Sequence, residues 1–427
     1  MGVTGPKKEW PGPLGGLKVI DLTRVLAGPF ATQLLGDLGA EILKIEQPGT
    51  GDETRKFPPF VSGESHYFLG LNRGKKSLII DLQKPAGADI LRRLVAGADI
   101  LVENYRPGVM ERLGLSYTTL SAINPRLIYC AISGFGLTGP LRDKPSFDIV
   151  TQALTGVLSI NGERGRSPVK LGLPMGDMVG GIFGPIGILS ALHERSVTGR
   201  GRLIDVSLYD GLIGMLGYLA QLAFVTGRDP EPVGSGHPNI VPYGSFPTSD
   251  GAIIIAALSE GFWIKLCDAL ERPDLAGDSR FATPVGRRDH RDELDTTISE
   301  ITRTRTVAEW EQRLSAYDVP QAPVLGITAA LAHPHATARE MVVTAEHPIA
   351  GQIRMVGRSI KFPGAAQQPL SSPPTLGQDT AEVLKQELGL SDAQIEQLRQ
   401  DLVIDPASPC EITPEPVNAP DERPTAP

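Results

Sequence analysis

From Leu17 onward the chain alternates short apolar runs with stretches whose apolar residues recur at helical spacing. LKVIDLT (17–23) predicts a buried strand, and PFATQLLGDLGA (29–40) predicts a helix opened by Pro29. EILKIE (41–46) predicts the next strand, ahead of a polar loop QPGTGDETR. KKSLIIDL (75–82), a helix over 85–97, DILVEN (99–104) and RLIYCAIS (126–133) continue the alternation. A helix running to about His193, a strand RLIDVSL (202–208) and a long apolar helix over 209–226 follow. Apolar strands separated by helices predict a parallel sheet covered on both faces, an α/β fold.

The pattern then changes. Residues 227–251 (GRDPEPVGSGHPNIVPYGSFPTSDG) are rich in Gly and Pro and predict a linker ending in a hairpin. A strand GAIIIAAL (251–258), helices over 260–270, 286–303 and 306–316, and a strand PQAPVL (320–325) predict a second, smaller unit. Short strands MVVTAEHP, GQIRMVG and SIKF are expected within 341–365, and two helices within 379–400, the second capped by Ser391. The last 24 residues contain seven prolines and few large apolar groups, the composition of a disordered tail.

Composition narrows the function more than the fold. The net charge of −8 argues against nucleic acid as the main partner, since phosphate binding needs clustered Lys and Arg. A small anion needs only a local basic patch. Cys130, Cys267 and Cys410 have no CxxC spacing, so neither a disulfide framework nor a zinc site is expected. The N-terminal MGVTGPKKEWPGPLGG has no apolar core of a secretory signal, and Pro6 occupies the place where a myristoylation motif needs Ser or Thr. The longest apolar stretch, 178–192, reads as too short and too glycine-rich to span a bilayer. A soluble protein of the cytoplasm, or of an organelle matrix in a eukaryote, is the expectation.

GFGLTG (134–139) follows a predicted strand and matches G-x-G-x-x-G, but Pro140 and Pro145 follow it and no helical pattern begins until about Phe147. A dinucleotide turn needs a helix starting within its glycines, so an NAD or FAD site is not expected. The seven histidines show no metal-ligand spacing, His333-Pro-His335 included, and no metal is expected. Neither a GxSxG elbow nor a Walker A sequence is present. Carboxylates remain. Asp177 is the one charge in nineteen residues, LGLPMGDMVGGIFGPIGIL (171–189), that carry six glycines. It reads either as a helix N-cap or as a reactive carboxylate beside open backbone. Asp148, in KPSFDIVTQALTG (144–156), reads as a first-turn helix residue or as a second functional carboxylate. Basic groups in NRGKK (72–76), in ENYRPGVMERLG (103–114) and at Arg24 form either a solvated face or the surround of a polyphosphate.

Several stretches together resemble the class III CoA-transferase (CaiB/BaiF) family: LKVIDLTRVLAGPFATQLLGDLGAEILKIEQPGTGD, NRGKKSLIIDL, ADILVENYRPGVMERLGL, INPRLIYCAISGFGLTGP, LGLPMGDMVGG and GHPNIVPYGSFPTSDG. The likeness is collinear from about residue 14 to 400. It is greatest to the branch that moves CoA from succinyl-CoA to glutarate-, mesaconate- or citramalate-type acceptors. It implies an arm (1–13), a large Rossmann-like domain (14–227) completed by a returning segment (331–403), a smaller α+β domain (228–330), a tail (404–427) and an interlocked homodimer. It implies Asp177 as nucleophile, with Gly176, Gly180 and Gly181 giving CoA room and N–H groups for the oxyanion. The GSGH loop (234–237) would act as a lid, and His237 and Tyr243 are candidates near the acyl group.

The same resemblance places CoA, a substrate rather than a resident cofactor, against Val25, Leu26 and Ala27, against the Ile80–Gln83 strand with Ile80 and Asp81, and against Asn104, Tyr105, Arg106 and Arg112. Ser146 and Phe147 complete that set. Formyl-CoA transferases carry Gln where Leu26 stands, which speaks against formyl-CoA or oxalate as substrates. They carry Arg where Gln47 stands, which speaks against an adenine contact there. A CoA-contacting Lys of some relatives is replaced by Pro145, beside Lys144. Asp148 falls where formyl-CoA transferases have an auxiliary Glu. Related α-methylacyl-CoA racemases need a His directly before that position; Phe147 cannot exchange a proton, so racemase activity is disfavoured. A non-catalytic CoA-binding protein is the other alternative, and an intact Asp177 argues against it.

Overall fold

The computed structural model describes residues 12–365 and 368–404; the predicted tail lies outside them, apart from Ile404, as does most of the N-terminal arm. The described residues divide into two compact units, one of residues 12–155, 172–217, 337–365 and 368–404, the other of 156–171 and 218–336.

The first unit is built on β1 (Lys18–Asp21), β2 (Glu41–Glu46), β3 (Lys76–Ile79), β4 (Ile100–Glu103), β5 (Ile128–Ser133) and β6 (Leu203–Ser207). All neighbours pair in parallel, in the order β3-β2-β1-β4-β5-β6. This is the doubly wound order, which reverses direction between β1 and β4 and opens a crevice there at the strands' carboxyl ends. The strands read as unbroken apolar runs because both faces are covered. One layer includes Leu91, Leu94, Leu120 and Leu384, and the other Ala31, Leu35, Ile188 and Ala191.

Helix α1 (Ala27–Asp37) starts two residues before Pro29, the predicted opener. Proline is tolerated in a first turn, where its missing N–H has no partner to lose, so it does not mark the first residue here. Helix α2 (Pro85–Ala96) follows β3 and does have Pro at its first position. Near its start Gly87 lies on the preceding loop: a Cβ there would stand 2.0 Å from the Asp81 carbonyl oxygen. Gly87→Ala is expected to lower stability by about 1–3 kcal/mol, because backbone cannot yield as a side chain can. Chemical denaturation measures it, and a loss under about 0.5 kcal/mol would contradict the packing.

Helix α3 (Asp148–Leu154) precedes α4 (Met175–Thr198) and α5 (Leu208–Met215). At 24 residues α4 is longer than the stretch read from the sequence, and by length and composition alone it is apolar enough to cross a membrane. Its glycine face packs onto α1 and β5, as a core helix does. The single helix predicted over 209–226 is two, α5 and a helix Tyr218–Thr226, interrupted at Gly217, whose φ is +52°. Apolar periodicity runs through the break, so the sequence hides it. The strands Val342–His347 and Gly351–Val356 form a hairpin, whereas the expected strand SIKF (359–362) does not form. The helix Asp392–Gln400 has the predicted Ser391 cap, closed into a capping box by Gln394.

The second unit is a three-stranded antiparallel sheet, Tyr243–Pro247 and Ala252–Ala256 in a hairpin with Gln321–Pro323 on its edge. Its core gathers Trp263, Trp310, Phe281 and Leu266. The helix predicted over 286–303 is again two, Pro284–Asp289 and Arg291–Thr302, meeting at His290.

Candidate active site

A recess at the carboxyl end of the sheet holds about 530 Å³. It is walled by Thr23 and Arg24 after β1, Gln47 after β2, Ile80 to Gln83 after β3, and Tyr105, Arg106 and Arg112 after β4. It therefore spans the point where the strand order reverses. Tyr105 packs under the Arg24 guanidinium, which lies 4.8 Å from the ring centroid. Arg106 and Arg112 are exposed, and among the described residues neither has a carboxylate partner. Two unneutralised guanidiniums at the mouth of a half-apolar recess suit a phosphorylated ligand with a planar base.

Of the residues expected at such a ligand, Ile80, Asp81, Tyr105, Arg106 and Arg112 line this recess. Val25, Leu26, Ala27, Asn104, Ser146 and Phe147 do not. Asn104 instead braces Arg24, accepting its N–H (2.8 Å) and donating to its carbonyl (2.7 Å). Ser146 packs on Gly134, and Phe147, 74% exposed, precedes the first turn of α3. Gln47 reaches the recess wall and its side-chain amide donates to the Thr50 hydroxyl. Lys44, Glu46 and Asp52 also line the wall and were missed. Their signal was present: EILKIE puts charges inside an otherwise apolar strand, and a charge buried there needs a partner.

The GFGLTG turn is not a phosphate cradle in this structure. The Leu137 N–H donates to the Asp205 carboxylate (3.0 and 3.1 Å), so the protein's own anion sits at the turn.

Asp177 occupies the first turn of α4, and the residue before the helix is Pro174, so Asp177 is not the N-cap. Among the described residues no group donates a hydrogen bond to its carboxylate. Burial, with a smaller contribution from the charge of Asp148, pushes its pKa up to about 6. With no helix N–H bonded to it, Asp177 does not act as a capping carboxylate. Asp148 is buried at the head of α3, 8% exposed, and both its oxygens are engaged. Oδ1 accepts the Gly176 N–H at 2.7 Å and Oδ2 accepts Gln152 Nε2 at 2.7 Å. One carboxylate thus ties the backbone beside Asp177 to a second helix.

That bond also corrects the role expected of the glycines. The Gly176 amide is taken by Asp148, and a Cβ at 176 would stand 2.7 Å from Thr151 Oγ1. At Gly180 it would meet Leu208 at 2.4 Å, and at Gly181 the Phe30 ring at 2.7 Å and the Ala27 carbonyl at 3.0 Å. The glycines bring α4 against α1, β5 and α5; they are filled by protein, not left open for ligand. Tyr67 is a further residue the sequence reading missed. Burial, then the charges of Asp177, Asp52 and Asp148, raise its phenol pKa, which places it within electrostatic reach of both carboxylates.

His237 and Tyr243 lie in the second unit, where the His237 ring stacks on Tyr218 and meets Tyr243 edge-on. The GSGH loop is anchored there, Gly234 N–H to the Gly162 carbonyl (2.8 Å) and the His237 carbonyl to Arg291 (2.6 Å).

The profile of CoA-transferase family III matches residues 14–380. The chain belongs to that family. It is 36% identical over 394 residues to the human succinyl-CoA:glutarate CoA-transferase, covering 92% of this chain and 90% of that one. It is 39% identical over 365 residues to the acetyl-CoA:oxalate CoA-transferase of Acetobacter aceti, covering 85% and 92%. Among solved structures, a CaiB/BaiF family protein from Brucella suis superposes with a TM-score of 0.81 at 37% identity, covering 88% of this chain and 99% of that one. This family III protein is a CoA-transferase, and its substrates include CoA thioesters.

Proposed function

We propose that this CoA-transferase moves CoA from succinyl-CoA to a second dicarboxylate through covalent intermediates on Asp177. The observation that carries the reading is the Asp177 carboxylate itself: half-buried, without a hydrogen-bond donor among the described residues, and fixed through the neighbouring Gly176 amide. An Asp177 oxygen attacks the thioester carbonyl, the carbon–sulfur bond breaks, and CoA leaves as thiolate. The product is a mixed anhydride, which keeps the activation that an ester would lose. The thiolate attacks the aspartyl carbonyl, releasing the donor carboxylate and leaving an aspartyl-CoA thioester. The acceptor carboxylate then attacks that thioester, and the returning thiolate takes the acceptor acyl group and frees Asp177. Arg106 and Arg112 hold the CoA phosphates, and Asp148 is a positioning residue. No permanently bound cofactor takes part.

Similarity alone does not choose the acids, since relatives of comparable identity are named for glutarate and for oxalate. The test is a panel of dicarboxylates with succinyl-CoA and acetyl-CoA as donors, using acceptor labelled with 18O in its carboxylate. Each productive cycle replaces one Asp177 oxygen with one from the acceptor, so its peptide gains the mass of one label after a single turnover and of up to two after many. Turnover without label on that peptide would defeat the covalent route.

Because the nucleophile is the ionised form, kcat/KM is expected to rise with pH through about 6 and level off above it. Asp148→Asn removes the like charge while retaining a group that accepts the Gly176 N–H. It should move this acid limb downward by less than one pH unit, since burial is the larger cause. A limb unmoved within error would remove Asp148 from the electrostatics of the site.

A homodimer belongs to the same reading. Phe147 just before α3, Ile149 and Leu154 of α3, Ile182 and Ile186 of α4 and Met215 of α5 are exposed apolar residues of the first unit, more than a monomer's surface favours. A cytoplasmic setting, reducing enough to keep buried Cys130 and Cys267 as thiols, completes the proposal.

A further inference from the structure

Five consecutive backbone polar groups after β1 are held by side chains. The Thr23 N–H donates to Asp21 Oδ1 (2.8 Å), and the Thr23 carbonyl accepts from Lys44 Nζ (2.8 Å). Asn104 takes both polar groups of Arg24, and the Val25 N–H donates to Asp52 Oδ1 (3.2 Å). Asp52 is itself fixed, by Lys44 Nζ on Oδ2 (3.0 Å) and by the Thr54 N–H (3.0 Å) and hydroxyl (2.8 Å) on Oδ1. The Lys44 and Asp52 side chains have no exposed surface.

What these bonds hold is unusual. Val25 has φ +66°, in the left-handed region that a β-branched residue strongly disfavours. The turn also closes on itself, because a Cβ at Gly28 would stand 2.3 Å from Thr23 Cβ. Directly after it α1 begins, without a side-chain cap at Leu26. Ala27 then lies against Gly180 and Gly181 of the helix that carries Asp177. A buried ion pair is a costly way to stabilise a fold, since apolar side chains of equal volume do as well or better. It is a good way to select one conformation of one turn.

We infer that Asp52, with Lys44 and Asn104, is a positioning residue of the transferase. It keeps Val25 in a strained conformation and so aims the start of α1 at the head of α4, beside the recess. The inference rests on reading that recess as the acyl-CoA site. Released from Asp52, Val25 relaxes to negative φ, its peptide rotates, and Leu26 and Ala27 move with it. Glycine at 25 needs no such restraint, because it occupies φ +66° unaided.

The test compares Asp52→Ala, Val25→Gly and the double variant in the full-length protein, reading kcat/KM for acyl-CoA and Tm. Asp52→Ala, which removes the acceptor of the Val25 N–H, is expected to lower kcat/KM about tenfold, and adding Val25→Gly to recover most of that loss. Tm stays low in the double variant, because Lys44 remains without its ion-pair partner. Recovery of activity without recovery of Tm is the supporting result. Additive losses in activity, or activity that follows Tm through all three variants, would overturn the inference. A wild-type protein that binds no acyl-CoA would overturn the reading of the recess as well, and is told apart by appearing before any substitution is made.

Discussion

Replacement of Asp177 by asparagine lowers kcat by on the order of 10⁴-fold, the scale on which losing a covalent nucleophile is felt. The amide has nearly the same shape but cannot form an anhydride. The wild-type enzyme incubated with acyl-CoA and hydroxylamine should carry a hydroxamate on the Asp177 peptide, visible by mass spectrometry, and the variant should carry none. Loss of folding does not explain the result. A carboxyl whose folded pKa is raised to about 6 from 3.8 is more readily ionised in the unfolded chain. Between those values stability falls as pH rises, and above pH 6 the full penalty stands. Asparagine never ionises, so Asp177→Asn should unfold at a Tm equal to or above that of wild type at pH 7.5, and at the same Tm near pH 3. A variant that keeps turnover, or one that melts well below wild type at pH 7.5, contradicts the placement of this carboxylate.

The double variant Arg106→Ala/Arg112→Ala raises KM for acyl-CoA about 100-fold and leaves kcat within a few-fold. Each guanidinium lost to a phosphate removes about 1.5–3 kcal/mol of binding, reduced here because both side chains are exposed. The effect lies in KM because the phosphates sit away from the reacting carbonyl and are held alike in ground and transition states. Wild-type KM should rise with ionic strength and the variant's much less. Equal KM values would move CoA out of this recess.

The strand–helix alternation was readable because burial on both faces leaves strands apolar throughout; EILKIE became β2 at its predicted limits. What escaped is physical in origin. A glycine in a helix frees the same space for a neighbour or for a ligand, so LGLPMGDMVGG could not say that Phe30, Leu208 and Thr151 fill it. Gly217 breaks a helix whose apolar period continues on both sides. Asn104 entered as a ligand contact through the family resemblance, and no sequence pattern shows that its amide is spent on the backbone of Arg24, 80 residues away. Pairings such as Lys44 with Asp52 were within sequence reach, since a lysine in an apolar strand already asks for a carboxylate. The strain at Val25 was not, because a positive φ leaves no trace in a valine.

Strand β3 lies at the edge of the sheet, and its outer hydrogen bonds run to the far end of the chain: Ser77 N–H to Asp379, Ile79 N–H to the Thr380 hydroxyl, and Asp81 N–H to the Val403 carbonyl. Thr380 is 301 residues beyond Ile79. At about 5–20 residues per second, a ribosome delivers it about 15–60 s after β3 has emerged. Until then the growing polypeptide presents a bare strand edge, the kind that pairs with other chains, and the wall formed by Ile80 to Gln83 lacks its outer support. The nascent protein therefore cannot assemble the proposed CoA site progressively: the recess gains its full wall only once residues 379–403 have been made, and a chain stalled before Asp379 would be a candidate for aggregation, not a partly active enzyme.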